Sequence, residues 1–160
     1  ERIAAAVLSM PEYQSASVLL VYCHVRGEVS VDLIREDALR CGKTVVYPRC
    51  VSGTEMQALL PEDEGAWAPG SFHIPEPVPE RSSVIRPEQI DMVIVPCAAF
   101  TQTHKRVGMG AGYYDRYLPL CTRACKVMTA FGAQRVEDFE QSPYDYRPEC
   151  LATECGLHRL

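Results

Sequence analysis

Hydrophobic and polar positions change their period several times along this chain. From Arg2 to Met10, the residues Ile3, Val7 and Met10 recur at helical spacing among alanines, which predicts an opening helix. Ser17 to Cys23 is then continuously apolar and β-branched, as a strand buried on both faces requires. Ser30 is placed to cap a helix over Val31 to Cys41, with Leu33, Ile34 and Leu39 on its apolar side and Gly42 at its C-terminal cap. Thr44 to Tyr47 predicts a second strand, closed by Pro48, and Asp91 to Pro96 a third. A helix from about Gly112 to Leu118 and a strand from Lys126 to Phe131 follow. The tail from Gln134 reads as a short helix, a proline-containing turn and a last short strand near Cys150 to Thr153. Between Pro61 and Pro87 the chain is dense in proline, with Gly65 and Gly70, and is expected to be mostly loop. A loop of that length in a compact domain is usually functional. Helix and strand alternate, which favours a mainly parallel central sheet flanked by helices: an α/β fold, one three-layer domain over residues 1–160.

Composition narrows the function classes. A chain of 160 residues with 47% hydrophobic and 23% charged residues is large enough for one packed core and too small for two domains. A net charge of -5 argues against a nucleic-acid surface, which needs clustered excess Lys and Arg. The longest apolar runs, Val18 to Cys23 and Met92 to Pro96, are too short to cross a bilayer, and no basic-then-apolar leader opens the chain. The chain does begin inside a helical pattern at Glu1, so further residues are expected upstream. Its eight cysteines form no C-x-x-C pair. Cys121 and Cys125 could share a helix face, but no second ligand pair accompanies them, so free thiols in a reducing cytoplasm are expected. The four histidines show no metal-binding spacing either: His24 and His104 fall in loops, and His73 and His158 have no evident partner. A cytoplasmic monomer without nucleic-acid or membrane partners is the expectation.

Candidate chemistry concentrates in one loop. Three of the ten glycines fall at Gly108, Gly110 and Gly112. Alternating glycines permit positive φ and leave successive backbone N–H groups free to converge on an anion. Arg106 adds a planar, permanently charged group suited to phosphate, with Lys105 as a weaker candidate. Asp115 lies in the first turn of the predicted helix, where a carboxylate can hold Mg²⁺ against bound phosphates. The loop is neither a Walker A sequence nor the dinucleotide fingerprint, whose glycine spacings differ. A tight turn that needs glycine, with Tyr113 and Tyr114 as core aromatics, fits the same residues.

Context beyond the glycines separates those readings. Val95-Pro96-Cys97-Ala98-Ala99-Phe100, followed by the run from Arg106 to Leu118, resembles the motif of the 5-formyltetrahydrofolate cyclo-ligases, also called 5,10-methenyltetrahydrofolate synthetases. Lys43 to Arg49 resembles that family's strand ending in Pro-Arg, Phe72 to Pro77 its aromatic, Ile and Glu-Pro element, and Pro143-Tyr144-Asp145 the site of its second aspartate. The resemblance implies ATP- and Mg²⁺-dependent conversion of 5-formyltetrahydrofolate to 5,10-methenyltetrahydrofolate, through phosphorylation of the formyl oxygen. It implies that Arg106, Val107, Gly108, Met109, Gly110, Ala111, Gly112, Tyr113 and Tyr114 bind ATP, with Arg106 and Asp115 catalytic. It implies that Tyr22, Glu28, Phe72, Met109, Gly110, Ala111, Gly112 and Tyr113 face the folate, and that Asp115 and Asp145 hold the metal. Several positions depart from the pattern. Met109 stands where Arg or Tyr is often found and Ala111 where Lys or Gly is, Thr101 replaces an aspartate, and His104 stands where a turn glycine is common. The family's Lys-x-x-x-Arg segment, whose cations contact ATP, has no match at Arg2. A folate-binding homologue without catalysis, and another phosphotransferase using the same loop, are the alternatives.

Overall fold

The computed structural model describes residues 1–70 and 73–160. The opening helical pattern divides into α1 (Arg2–Leu8) and α2 (Pro11–Ser15). Pro11 causes the break: it disfavours helical backbone at Met10, which is extended at ψ 134°, and it starts the next helix at N1. Strand β1 (Val18–Leu20) is shorter than the apolar run that announces it. Helix α3 (Asp32–Arg40) follows, and the Ser30 hydroxyl accepts the Asp32 N–H at 3.3 Å, although Val31 occupies the cap position itself. Gly42, at φ +73°, ends α3 as expected: its N–H bonds to the Leu39 carbonyl while the Lys43 N–H bonds to that of Ala38. The buried stripe of α3 is Ile34 and Ala38, one turn apart, whereas Leu33 and Leu39 are exposed, which corrects the apolar face expected from sequence.

Strand β2 (Thr44–Cys50) does not stop at Pro48. Its partner on one side, β1, has already ended at that level, so a residue without an N–H is tolerated there. On the other side β2 pairs antiparallel with β3 (Met56–Pro61), in register Pro48 to Ala58. The proline-dense segment also departs from a plain loop. It holds a hairpin of β4 (Trp67–Pro69) and β5 (Pro75–Pro77), then β6 (Ser82–Ile85), which adds to the sheet beside β3. After β7 (Met92–Val95) comes a second small hairpin, β8 (Ala99–Phe100) with β9 (Arg106–Val107). Helix α4 (Tyr113–Tyr117) leads to β10 (Cys125–Thr129), β11 (Cys150–Thr153) and an antiparallel edge strand, β12 (Gly156–Arg159).

Eight strands form the main sheet in the order β12-β11-β10-β7-β1-β2-β3-β6. The pairings β11-β10, β10-β7, β7-β1 and β1-β2 are parallel; the outer pairings are antiparallel. Alternate residues of the parallel strands feed two cores. Leu19, Val45, Met92, Ile94 and Val127 pack under α1, α2 and α3. Leu20, Val46, Val93, Val95 and Met128 pack under Tyr117, Leu118 and Cys121 on the opposite face. This is the three-layer α/β domain that the run of elements predicted. Among the described residues, no helix is long and apolar enough to cross a membrane.

Topology places the site. From β1 the chain crosses through α3 to β2 on one side, and later returns to β7 on the other side of β1. The connections leaving β1 and β7 therefore diverge, and a crevice opens beyond their carboxyl ends. Open α/β sheets bind ligands at such a switch point.

Candidate active site on two sides of the glycine loop

A cleft of ≈ 820 Å³, its open mouth included, occupies that crevice. The segment after β1 supplies Tyr22, Cys23 and Glu28; the segment after β7 supplies Pro96, Cys97 and Ala98; β2 supplies Pro48 and Cys50. The β4–β5 hairpin contributes Ile74, Pro75 and Glu76, and the glycine loop closes the cleft with Arg106, Gly108, Met109, Tyr113 and Tyr114. A second cleft of ≈ 660 Å³ lies against the same loop, lined by Val107, Gly110, Gly112, Asp115, Glu140 and Asp145 among others. Arg106, Gly108, Met109 and Tyr114 border both. The loop is thus a partition with a ligand-sized space on each side.

Arg106 anchors the partition. It is 5% exposed; one guanidinium nitrogen bonds Asp115 Oδ1 at 2.8 Å and the other reaches the Pro96 carbonyl at 3.3 Å. Among the described residues its Nε is buried with no partner, and so is the Tyr114 hydroxyl, whose ring lies 5.9 Å from the Arg106 carbon. Gly108 is glycine for a steric reason: a Cβ there would fall 2.7 Å from Arg106 Nη1. Gly110 and Gly112, at φ +90° and +67°, need the left-handed region that side chains disfavour. Among the described residues, the N–H groups of Gly108 through Gly112 donate to no protein acceptor, so they are available to a ligand. Helix α4 is a single turn of five residues, shorter than predicted, so the loop rather than a helix terminus presents the donors. The far end of the loop is tied down by Arg116, whose Nε donates to the Thr54 carbonyl at 2.6 Å, and by the Tyr113 hydroxyl, which donates to the Ser52 carbonyl at 2.8 Å.

Most of the residues expected from sequence converge here, on particular sides. Tyr22, Glu28, Met109 and Tyr113 line the first cleft. Tyr22 does so with its ring, because its hydroxyl is held by the Val29 carbonyl at 2.7 Å and Thr129 at 2.9 Å. Glu28 accepts the Val25 N–H at 3.0 Å through one oxygen. Gly110 and Gly112 line the second cleft and not the first, and Ala111 lines neither. Asp115 and Asp145 both face the second cleft. Phe72 lies outside the described residues. The Lys105 ammonium pairs with Asp138 at 2.5 Å and with the Phe139 carbonyl at 2.9 Å, and Lys105 lines neither cleft. His104 adopts φ +56° at the position where a turn glycine is common, and its ring Nδ1 bonds the Pro148 carbonyl at 2.9 Å. That hydrogen bond offsets part of the backbone cost and commits the ring to structure. Sequence reasoning missed the inner wall of Cys23, Cys50, Met56 and Cys97, and it missed Glu76, which is 6% exposed. Burial pushes the Cys97 thiol up to about 12 and the Cys23 thiol to about 11, so both stay protonated at neutral pH.

The carboxylates of the second cleft are only partly engaged within the protein. Asp115 Oδ1 is engaged by Arg106 and by the Tyr146 N–H at 3.0 Å; Asp145 Oδ2 accepts the Ser142 N–H at 2.8 Å. One oxygen of each remains for a cation. Among the described residues no three His, Cys, Asp or Glu side chains gather as a metal cage. Two carboxylates beside a phosphate-sized space suit Mg²⁺, which usually completes its shell with phosphate oxygens and water.

Switch-point cleft, glycine loop and acidic second cleft together define an α/β domain with two clefts on one loop. The chain belongs to the 5-formyltetrahydrofolate cyclo-ligase family, whose model matches residues 1–153. It is 30% identical over 123 residues to a probable 5-formyltetrahydrofolate cyclo-ligase of Caenorhabditis elegans, covering 73% of this chain and 60% of that protein. With the 5-formyltetrahydrofolate cyclo-ligase of Escherichia coli it is 24% identical over 156 residues, covering 96% and 78%. The solved structure of the Aquifex aeolicus 5,10-methenyltetrahydrofolate synthetase superposes with a TM-score of 0.84 at 28% identity, covering 99% of this chain and 79% of that one. The Mycoplasma pneumoniae 5,10-methenyltetrahydrofolate synthetase gives 0.74 at 26% identity, covering 94% and 82%. The chain spans less than two thirds of some curated relatives: 60% of the nematode protein and 45% of that from Mycoplasma genitalium.

Proposed function

We propose that this protein converts 5-formyltetrahydrofolate to 5,10-methenyltetrahydrofolate with hydrolysis of ATP to ADP and phosphate. The observation that carries the reading is the shared loop: one partition, anchored by Arg106, borders an apolar cleft suited to a ring system and an acidic cleft suited to metal-bound phosphates. The pterin occupies the first cleft, where Glu28 accepts from its ring N–H groups. The ATP phosphates lie against the loop on the second side, on the N–H groups of Gly108 through Gly112. Asp115 and Asp145 would hold Mg²⁺, which when bound neutralises charge on the terminal phosphates.

The chemistry asks the protein for alignment rather than for a nucleophile. The formyl oxygen attacks the γ-phosphorus, ADP leaves, and the oxygen becomes a phosphate ester on a carbon now open to attack. The folate N10 adds to that carbon, its proton is lost to solvent, and phosphate departs as the five-membered ring closes. Arg106 stands where the two clefts meet, so its guanidinium can stabilise the transferring phosphoryl group from the protein side. The Cys97 and Cys23 thiols remain neutral and take no covalent part.

Incubating the purified protein with 5-formyltetrahydrofolate, ATP and Mg²⁺ is the direct test. Methenyl-folate absorbance should grow only when all three are present. Folate binding with no ATP binding and no product would instead identify a non-catalytic homologue.

A further inference from the structure

Two acidic side chains line the first cleft, and the reading above uses one of them. Glu28 sits on the turn after β1, with one oxygen bound by the Val25 N–H. Glu76 enters from the β4–β5 hairpin on another wall. Its side chain is 8% exposed, yet among the described residues its partners are distant. The Cys50 N–H reaches Oε1 only at 3.4 Å, at the limit of a hydrogen bond. Arg49 Nη1 stays 3.8 Å from Oε2 and donates instead to the Pro77 carbonyl at 3.0 Å. A buried carboxylate without close donors is costly. The hairpin is nonetheless shaped to admit it, since a Cβ at Gly70 would collide with the Glu76 carboxylate. Of the cleft's lining, Met56, Ile74, Pro75 and Pro96 carry no donor side chain, and the Tyr113 hydroxyl is committed to the Ser52 carbonyl.

We infer that Glu76, on the β4–β5 hairpin, is a second substrate carboxylate, accepting hydrogen bonds from ring N–H groups of the reduced pterin. This rests on the proposed folate reading. A reduced pterin carries an amino group and N3–H on one edge and N8–H elsewhere, more donors than one carboxylate can accept. Glu28 and Glu76 divide them. A second acidic wall also sets orientation: it attracts the donor-rich ring and repels the anionic glutamate end, so the ring enters first.

Equilibrium binding without ATP tests this. Glu76→Gln should weaken binding of 5-formyltetrahydrofolate about 10-fold and Glu76→Ala up to about 100-fold, the range of a hydrogen bond to a charged acceptor. The factor should be the same for 5-formyltetrahydropterin, which lacks the aminobenzoylglutamate tail. ATP affinity and the melting temperature of Glu76→Gln should match the parent protein. Unchanged folate binding in both variants would overturn the inference, as would a loss seen only with the tailed substrate. An equal loss of ATP affinity would also overturn it, by marking Glu76 as a support of the fold. Failure of the unsubstituted protein to bind either compound would instead overturn the folate reading itself.

Discussion

The two sides of the glycine loop are unlike in solvent and charge, and that contrast explains why one loop can serve two ligands. On the first side, apolar walls and half-buried thiols create a poorly solvated space; burial raises the Cys97 and Cys23 thiols and the Tyr114 hydroxyl alike. A neutral ring gains by entering there, and the few polar groups present count strongly. On the second side, Asp115, Glu140 and Asp145 face a more open space beside unpaired backbone N–H groups, an arrangement for a metal and phosphates rather than for a ring. Arg106 belongs to both, with its guanidinium divided between Asp115 and the Pro96 carbonyl. Under the proposed function, ring recognition falls on one side of the loop and charge neutralisation on the other, and Arg106 stands where the two clefts meet.

Removing the shared residue should give the largest effect. Arg106→Met leaves Asp115 without its guanidinium, and breaking a largely buried pair on one side typically costs about 3–5 kcal/mol. We expect kcat/KM to fall by roughly 10³ or more, with both ligands bound more weakly in calorimetry. Loss of one ligand alone would show that Arg106 serves a single cleft. Asp115→Asn should be more selective: turnover falls about 100-fold or more while folate affinity measured without ATP stays within about 2-fold. An equal loss of folate affinity would mean that the clefts are not energetically separate. Glu28→Gln should be the mirror image, raising the folate KM about 10-fold with the ATP KM unchanged.

The halves of the molecule differed in how far the sequence disclosed them. Strands β1 and β7 announced themselves as apolar runs because burial on both faces leaves no polar position. The glycine loop was legible because φ angles of +90° and +67° and close packing on Arg106 restrict the residue type. Strands β3 and β6 were not, because they extend the sheet antiparallel at its edge, where pairing partners rather than their own pattern hold them. Pro48 looked like a stop because the early end of β1 cannot be read locally. Glu76 gave no local sign of burial either: a glutamate between two prolines reads as loop until the β4–β5 hairpin carries it into the cleft. The glycines recognised in advance were under backbone constraint, Tyr22, Glu28 and Asp145 came from the family resemblance, and the residues missed were placed by tertiary folding.

A carboxylate at the opposite end of the strands should separate fold from site with the smallest effect on activity. Asp91 precedes β7, and one of its oxygens accepts the Ser17 and Val18 N–H groups at 2.9 and 3.0 Å while the other accepts Arg123 at 2.5 Å. Burial alone would raise its pKa, but those N–H donors and the guanidinium outweigh it, and the carboxyl is held below the usual aspartate range. A folded-state value below the unfolded value of about 3.9 means that this stabilisation is complete above that pH and is lost as pH falls through the folded value. Asp91→Asn should therefore cost about 1–2 kcal/mol in urea unfolding at pH 7 and flatten the stability loss below about pH 4. Turnover per folded molecule should not change, because Asp91 lies at the amino ends of β1 and β7 and both clefts lie beyond their carboxyl ends. A drop in turnover alongside normal folding would show that the register of β1 against β7 is transmitted to the loop, and would place the boundary of the site well inside the sheet.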